Sequence, residues 1–322
     1  MKSMFPPVYL SGVSTKLGRL YPVDEILRQG DRPEDVALLI EKGMKSFSIL
    51  ERPLIPTIAE CINGTLVLSG LKPSEIDGII VVTESFSELS EATVLGGEIQ
   101  VRMARNALFD TFLALGFERA PVYCSSFGGS SNFLQVMQLA HPLVFTGRVK
   151  QLLIVSVDCQ PRDISRFMSD AIALTGDGIA TCILNSDPKS SNCYEVEFVN
   201  IVPFLRVYPE STLPNKMLEM YRATKSAAAD CYEATNKQPN NFSWLLLSNY
   251  NYLTSRIFSQ LLGFSLEHCW LHNVPRTGHV PSCDPLINLD SLEQASLVIK
   301  GSSLMLFITG PISCGTLSLV RR

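Results

Sequence analysis

The feature that most constrains the fold is an order of predicted helices and strands that occurs twice along the chain with similar spacing. Mixed or amphipathic segments predict the helices, and short continuous apolar runs predict the strands. The predicted helices cover 55–69, 99–115, about 132–145, 217–235, 252–262 and 286–300. The predicted strands cover 76–83, the start of the segment 121–131, 151–158, 179–184, 244–248, 269–271, 303–309 and 315–320. Two βα-rich halves of this kind predict a duplicated α/β fold with a shared core. The polar segment 185–192 separates them, so we divide the chain into 1–186 and 187–322.

Length and composition narrow the class of function. The 322 residues are 46% hydrophobic, which is enough apolar material for one large or two medium domains. The net charge of −4 does not favour a nucleic-acid partner. No run approaches the roughly 18 apolar residues that a membrane helix needs. The segment 1–7 lacks the apolar core of a signal peptide.

The cysteine count bears on the cellular compartment. Nine cysteines are scattered without C-x-x-C spacing, and their number is odd. This pattern predicts neither a zinc site nor a disulfide framework, and we expect a reducing, cytoplasmic location.

Cys124 is the candidate nucleophile. It lies in the segment 121–131, Pro-Val-Tyr-Cys-Ser-Ser-Phe-Gly-Gly-Ser-Ser, which is typical of a strand, a sharp turn and the start of a helix. A helix that begins there would direct free N–H groups and the positive end of its dipole toward the sulfur, which lowers a thiol pKa. The alternative for a single cysteine is a buried structural role.

A nucleophile of this kind needs a base, and the chain has four histidines. His279 follows a predicted strand in a glycine-flanked loop, where catalytic side chains are often found. Asp284 comes five residues later and can orient the imidazole. Two alternatives remain open, because His279 can be a structural histidine and Asp284-Pro285 is a good start for the next helix.

Gly310 follows the predicted strand 303–309. Its backbone N–H can serve, with that of Cys124, as a donor to an oxyanion. The alternative is an ordinary glycine turn between two strands.

Taken together, these residues resemble the thiolase superfamily, and ketoacyl-ACP synthase III in particular. The resemblance rests on the Cys124 segment, on Thr175-Gly176-Asp177-Gly178 before a strand, on 244–246 before Asn251, and on the tail 310–315. It covers most of the chain and implies an α/β, thiolase-like fold, in which two pseudo-repeated halves form a five-layered αβαβα core. It also implies a homodimer, with the polar loop 84–98 near the dimer contact.

The departures from that family are informative. Its condensing enzymes use Cys-His-Asn, and here their His falls on Ser248 and their Asn on His279. Ser248 cannot supply an imidazole, which puts decarboxylative condensation in doubt. A smaller branch, the acyltransferases of cervimycin- and chlorothricin-type pathways, uses Cys-His-Asp with the Asp five residues after the His. Cys124, His279 and Asp284 are similar to that arrangement.

The resemblance therefore implies ping-pong acyl transfer, in a biosynthetic pathway for a polyketide or other natural product. An acyl group would pass from CoA or an acyl carrier protein, through a thioester on Cys124, to a hydroxyl, an amine or a carrier thiol. No metal and no permanently bound cofactor are expected. The substrate pocket would be lined by Ser248, Asn249 and Asn251.

Some basic residues are candidates for contact with the phosphopantetheine or an acidic carrier, although ordinary surface charges are the alternative. They are Arg148, Lys150, Lys216, Arg222 and Arg256. Two other functions stay open. One is a decarboxylating 3-oxoacyl-ACP synthase that forms carbon–carbon bonds, and the other is a non-catalytic partner subunit of a heterodimeric synthase.

Overall fold

The computed structural model describes residues 6–26, 33–89, 97–161, 164–168, 171–204 and 213–322. The helices are α1 (Pro33–Glu41), α2 (Leu54–Ser69), α3 (Gly97–Ala114), α4 (Asn132–Phe145), α5 (Leu213–Thr235), α6 (Tyr252–Leu261) and α7 (Asp284–Gln294). The strands are β1 (Tyr9–Leu17), β2 (Arg19–Pro22), β3 (Ser46–Ile49), β4 (Gly78–Val82), β5 (Val122–Ser125), β6 (Gln151–Asp158), β7 (Gly178–Asn185), β8 (Cys193–Pro203), β9 (Trp244–Leu247), β10 (Cys269–Trp270), β11 (Ser303–Thr309) and β12 (Ser313–Arg321).

Ten of the strands form one hydrogen-bonded sheet in the order β10-β9-β11-β12-β8-β1-β7-β6-β4-β5. Numbered along the chain within each half, both sets of five strands follow the order 3-2-4-5-1. In each half the three outermost strands are parallel and the next strand is antiparallel to them. The halves meet where β1 pairs with β8. The division at residue 186 falls in the connection between β7 and β8, and it stays a proposed boundary.

Three buried apolar clusters define the layers. In the first cluster, α4 and α7 pack between strands of both halves. In the second, α2 and α3 pack against β4, β6 and β7. In the third, α5 and α6 pack against β9 and β11. Strands β6 and β7 read as continuous apolar runs because helices cover both of their faces. The predicted α/β fold with five αβαβα layers is confirmed.

The predicted elements differ from the structure in some details. The last predicted helix, 286–300, is α7 and ends at Gln294, and β10 has only two residues. Strand β8 was not predicted, because its buried and exposed residues alternate irregularly and include three polar side chains. In the described part of the chain, no helix is long and apolar enough to cross a membrane.

Candidate active site

A sharp turn connects β5 to α4 and presents Ser130. Strand β5 ends at Ser125, and α4 begins at Asn132. Gly129 has a φ of +53°, and a Cβ there would lie 2.3 Å from Cδ of Pro311, so only glycine fits. The hydroxyl of Ser131 donates to the carbonyl of Gly128 within the turn (2.7 Å). It also contacts Oγ of Ser313 in β12 (2.8 Å), so the turn is hydrogen-bonded to that strand. The turn therefore holds Ser130 at the N-terminal end of α4.

Ser130 is hydrogen-bonded to His279, and His279 to Asp284. The Oγ of Ser130 lies 2.6 Å from Nε2 of His279, and Nδ1 of His279 lies 2.6 Å from Oδ2 of Asp284. The three residues are 8%, 1% and 0% exposed. Because the carboxylate accepts the Nδ1 proton, Nε2 is left to accept the proton of the serine hydroxyl. This is the arrangement of a nucleophile, a base and an orienting carboxylate.

Four hydrogen bonds fix the carboxylate of Asp284. Besides His279, the backbone N–H of Asn249 donates to Oδ2 (2.7 Å), while Nδ2 of Asn249 (2.8 Å) and the N–H of Val280 (3.0 Å) donate to Oδ1. Asp284 is the first residue of α7, yet all of these donors lie outside that helix. Of the two roles considered for Asp284, these contacts favour the orienting one, which stays a prediction.

The loop that carries His279 is bound to the Thr175–Gly178 turn. The N–H of His279 donates to the carbonyl of Leu174 (2.7 Å), and the N–H of Gly176 donates to the carbonyl of His279 (2.9 Å). A Cβ on Gly176 would lie 2.1 Å from the carbonyl oxygen of Thr277, which explains the glycine in this motif. The ring of Tyr250 packs against that of His279 with centroids 4.7 Å apart. These contacts hold the imidazole in one position.

Cys124 does not take the predicted place. It lies within β5, opposite Val81 of β4, at the edge of the sheet, and its side chain is exposed. Partial burial raises the pKa of its thiol, whereas a nucleophilic cysteine needs a lowered one. Nε2 of His279 is bonded to Ser130 instead. The predicted Cys124–His279 pair is therefore not formed, because pairing with β4 continues through Ser125 and the turn comes only after it.

The residues predicted to line the pocket are also placed differently. Ser248, Asn249 and Asn251 are 3%, 1% and 1% exposed and do not line the cavity described below. The side chain of Asn249 donates a hydrogen bond to Asp284. Asn251 caps α6, because its side chain accepts the N–H of Thr254 (2.8 Å). Both amides thus make hydrogen bonds within the protein, and their contact with substrate stays a prediction.

Gly310 lies beside the turn that follows β5, but its backbone N–H already donates a hydrogen bond within the protein. A Cβ on Gly310 would be 2.7 Å from Oγ of Ser131, so the glycine packs directly on the turn that carries Ser130. Its N–H, however, donates to the carbonyl of Ser313 (2.8 Å). The predicted oxyanion pair of Cys124 and Gly310 is therefore not present in this structure.

A cavity of about 400 Å³ opens onto Ser130 and His279. This volume is in the range of small-molecule sites. Its walls are mostly apolar, and the apolar side chains are Met168, Ile172, Met220, Phe258, Pro281 and Pro311. Glu84 also lines it and accepts the N–H of Gly129. The cavity can hold an apolar chain that ends at Ser130.

The basic residues proposed to meet the donor lie elsewhere. None of the five lines this cavity, and Arg222 pairs with Glu219 at 2.6 Å. Contact of these residues with a carrier stays a prediction. Of the loop 84–98, residues 90–96 lie outside the described part of the chain, so its place near a dimer contact also stays a prediction.

Comparison with solved structures identifies the fold. The chain is similar to 3-oxoacyl-[acyl-carrier-protein] synthase III from Aquifex aeolicus VF5, with 13% identity, a TM-score of 0.75, and 97% of this chain and 99% of that chain covered. It is similar to the acyltransferase ChlB3, with 14% identity, a TM-score of 0.79 and 98% of each chain covered. It is also similar to cerulenin-bound OleA from Xanthomonas campestris, with 11% identity, a TM-score of 0.78 and 98% of each chain covered.

These likenesses define a thiolase-superfamily fold. More narrowly, the fold is that of the ketoacyl-ACP synthase III type, as the sequence resemblance implied. The sequence matches no family model and no curated protein.

Proposed function

We propose that this protein is an acyltransferase whose nucleophile is Ser130. It takes an acyl group from a thioester of CoA or an acyl carrier protein and passes it to a hydroxyl, an amine or a carrier thiol. The observation that carries the proposal is the buried chain of two 2.6 Å hydrogen bonds from Ser130 through His279 to Asp284, at the wall of an apolar cavity.

The reaction follows from this geometry in two matched halves. Oγ of Ser130 attacks the thioester carbonyl as its proton passes to Nε2 of His279, and the carbonyl electron pair moves to oxygen. The tetrahedral intermediate collapses, the carbon–sulfur bond breaks, and the thiol leaves with the proton from His279. The acceptor then loses its proton to Nε2 as it attacks the Ser130 ester, and the proton returns to Oγ. Asp284 stabilises the transient imidazolium.

Two observations favour this function over the alternatives. In the condensing enzymes of the family a His and an Asn together support loss of carbon dioxide from a malonyl thioester. Here Ser248 stands at the position of that His, and His279 is the only histidine among the described residues that line the cavity. A non-catalytic subunit has no need of a connected nucleophile, base and carboxylate. Transfer to a heteroatom is therefore favoured over carbon–carbon bond formation and over a purely structural role.

The apolar walls of the cavity support an acyl donor. Another OleA structure, 11% identical to this chain with a TM-score of 0.73, holds lauric acid and lauroyl-CoA, and the Aquifex protein is named for an acyl carrier protein. By analogy we propose CoA or carrier thioesters as donors here. The cytoplasmic location and the natural-product pathway implied by the sequence also stay proposals.

We also propose a homodimer formed through β5. This strand is the last in the sheet, so one of its edges has no partner strand among the described residues. Tyr123 within β5 and Phe127 just after it are 57% and 87% exposed. An unpaired edge with apolar side chains favours pairing with another chain, and Cys124 would then lie at the contact between subunits.

Intact mass spectrometry after incubation with a panel of acyl-CoAs tests the proposed activity. The wild type and Cys124→Ala should each gain one acyl mass, and Ser130→Ala should gain none. An acyl mass on Ser130→Ala together with none on Cys124→Ala would restore the cysteine as nucleophile. A wild type that stays unmodified by every CoA and carrier thioester would contradict the proposed function itself.

A further inference from the structure

Attack on a thioester places negative charge on the carbonyl oxygen, and this charge needs hydrogen-bond donors. Few backbone N–H groups around the Ser130 turn are free to donate to this oxygen. The N–H of Gly310 donates to Ser313 (2.8 Å), that of Ser131 to Gly128 (3.0 Å), and that of Gly129 to Glu84. A donor is therefore needed to act beside the N–H of Ser130 itself.

The hydroxyl of Thr309 is buried and without a partner among the described residues. Thr309 is 5% exposed and lines the same cavity as Ser130 and His279. Buried hydroxyl groups almost always have a hydrogen-bond partner, so a hydroxyl without one, on a residue that lines a cavity, points to a ligand atom. The described residues provide no other acceptor for its proton.

Two contacts place Thr309 at the end of the cavity where Ser130 lies. It directly precedes Gly310, which packs on the Ser130 turn. The hydroxyl of Tyr250 donates to the carbonyl oxygen of Thr309 (2.9 Å), while the ring of Tyr250 packs on that of His279. Tyr250 thus contacts both Thr309 and the proposed base, His279.

We propose that Thr309 is a catalytic residue whose hydroxyl donates a hydrogen bond to the thioester carbonyl oxygen and to the oxyanion that forms from it. This inference rests on the proposed function, because it requires Ser130 to be the nucleophile. The bond strengthens as charge develops, so it lowers the barrier more than it tightens substrate binding.

The test compares Thr309→Val, which keeps the shape and removes the hydroxyl, with Thr309→Ser, which keeps the hydroxyl. Two rates are measured, acylation by an acyl-CoA and labelling of Ser130 by a fluorophosphonate, whose phosphoryl oxygen stands in for the oxyanion. Ser156→Ala is the matched control, since it also removes a buried hydroxyl without a partner among the described residues, but inside β6.

Thr309→Val should slow both reactions by about 10²- to 10³-fold with little change in KM. Thr309→Ser should stay within about tenfold of the wild type, and Ser156→Ala should be unchanged. Rates for Thr309→Val within threefold of the wild type, or a change confined to KM, would overturn the inference and leave the proposed function intact. A wild type that neither reagent modifies would instead refute the nucleophilic serine, and the inference with it.

Discussion

At the scale of single residues, the proposed chemistry depends on a proton that moves between Ser130 and His279. A serine hydroxyl is a weak nucleophile unless a base accepts its proton. The base here can do so only because Asp284 holds its other nitrogen protonated, and Asn249 in turn holds Asp284. Removing the negative charge of Asp284 should therefore disable Ser130 without changing the cavity.

We predict that Asp284→Asn lowers kcat by about 10³- to 10⁴-fold, with KM for the acyl donor nearly constant. The amide favours the tautomer in which Nε2 is protonated and cannot accept the serine proton. Steady-state kinetics of acyl transfer measure the effect. Asp290→Asn is the matched control, because Asp290 lies on the same helix but accepts the hydroxyl of Thr15 instead. Equal losses in the two variants would show damage to α7 and contradict the orienting role.

A second carboxylate, Asp158, supports the loop that carries the base. It is 3% exposed, and its Oδ2 accepts the N–H (2.6 Å) and the hydroxyl (2.5 Å) of Ser282. Burial raises the pKa of Asp158 to about 6, with Glu84 raising it further and His279 and Ser282 opposing the shift. The folded protein therefore binds this proton more tightly than the unfolded chain does.

Protonated Asp158 therefore contributes to the free energy of unfolding. This contribution is fully present below about pH 4 and is lost as the pH rises through about 6. Asp158→Asn removes the ionisation, and the amide oxygen can still accept both bonds from Ser282. We predict that the free energy of unfolding of Asp158→Asn, relative to the wild type, rises by about 2 kcal/mol between pH 4 and pH 8. Urea unfolding of both proteins at several pH values measures it. A difference that does not vary with pH would contradict the prediction.

At the scale of elements, the connection from β5 to α4 decides which side chain reacts. Its conformation requires Gly129, and Pro311 of the β11–β12 turn closes over that residue. A displacement of about 1 Å at a nucleophile can cost about 100-fold in rate. The turn is thus the part of the fold whose shape the activity depends on most.

Gly129→Ala should reduce acylation by at least about 100-fold, because the added Cβ collides with Pro311 and displaces Ser130. Gly147→Ala is the control, since Gly147 also has a positive φ (+73°) but no atom lies within 4 Å of its Cβ position. Acylation rates, with circular dichroism to verify folding, provide the measurement. Normal acylation by Gly129→Ala would show that the turn tolerates the change and that the steric argument is wrong.

The sequence predicted a strand, a turn and a helix here, but it predicted Cys124 as the nucleophile, whereas the residue that contacts His279 is Ser130. Small residues extend from Cys124 to Ser131, and composition alone does not say where strand pairing stops. The available signal was the Gly128-Gly129 pair followed by a hydroxyl residue directly before the apolar helix. Local spacing did indicate that His279 and Asp284 can meet, and the two side chains are in contact. The hydrogen bond from Asn249 to Asp284 could not be predicted. The two residues are 35 positions apart in the sequence, and their contact depends on how β9 and α7 pack.

At the scale of the whole molecule, the duplicated pattern of elements was enough to predict an α/β fold of two similar halves, and the resemblance to the thiolase superfamily implied its five layers. Continuous apolar strands and amphipathic helices determine which faces must be covered, and few topologies cover them. Strand β8 escaped prediction because one of its sides is partly exposed. The pairing of β1 with β8, which joins the halves, depends on that strand and could not be read from the pattern.

The proposed dimer predicts the reactivity of the thiols. Cys124 is the only exposed cysteine, and the other eight are buried. If β5 pairs with its copy, light scattering should give the mass of a dimer, and Cys124 should react slowly with a thiol reagent until the dimer is diluted apart. A monomer in which Cys124 reacts at once would contradict the proposed dimer contact. Cys124→Ala shows which part of the signal comes from this residue.

The central claim is that the acyl group rests on Ser130, and fragmentation of one peptide tests it most directly. Trypsin releases residues 120–148 as a single peptide that contains both Cys124 and Ser130. After the wild type has been acylated and digested, fragment ions should place the acyl mass on Ser130, as an ester that resists neutral hydroxylamine. An acyl mass on Cys124, released by hydroxylamine as a thioester would be, would contradict the account.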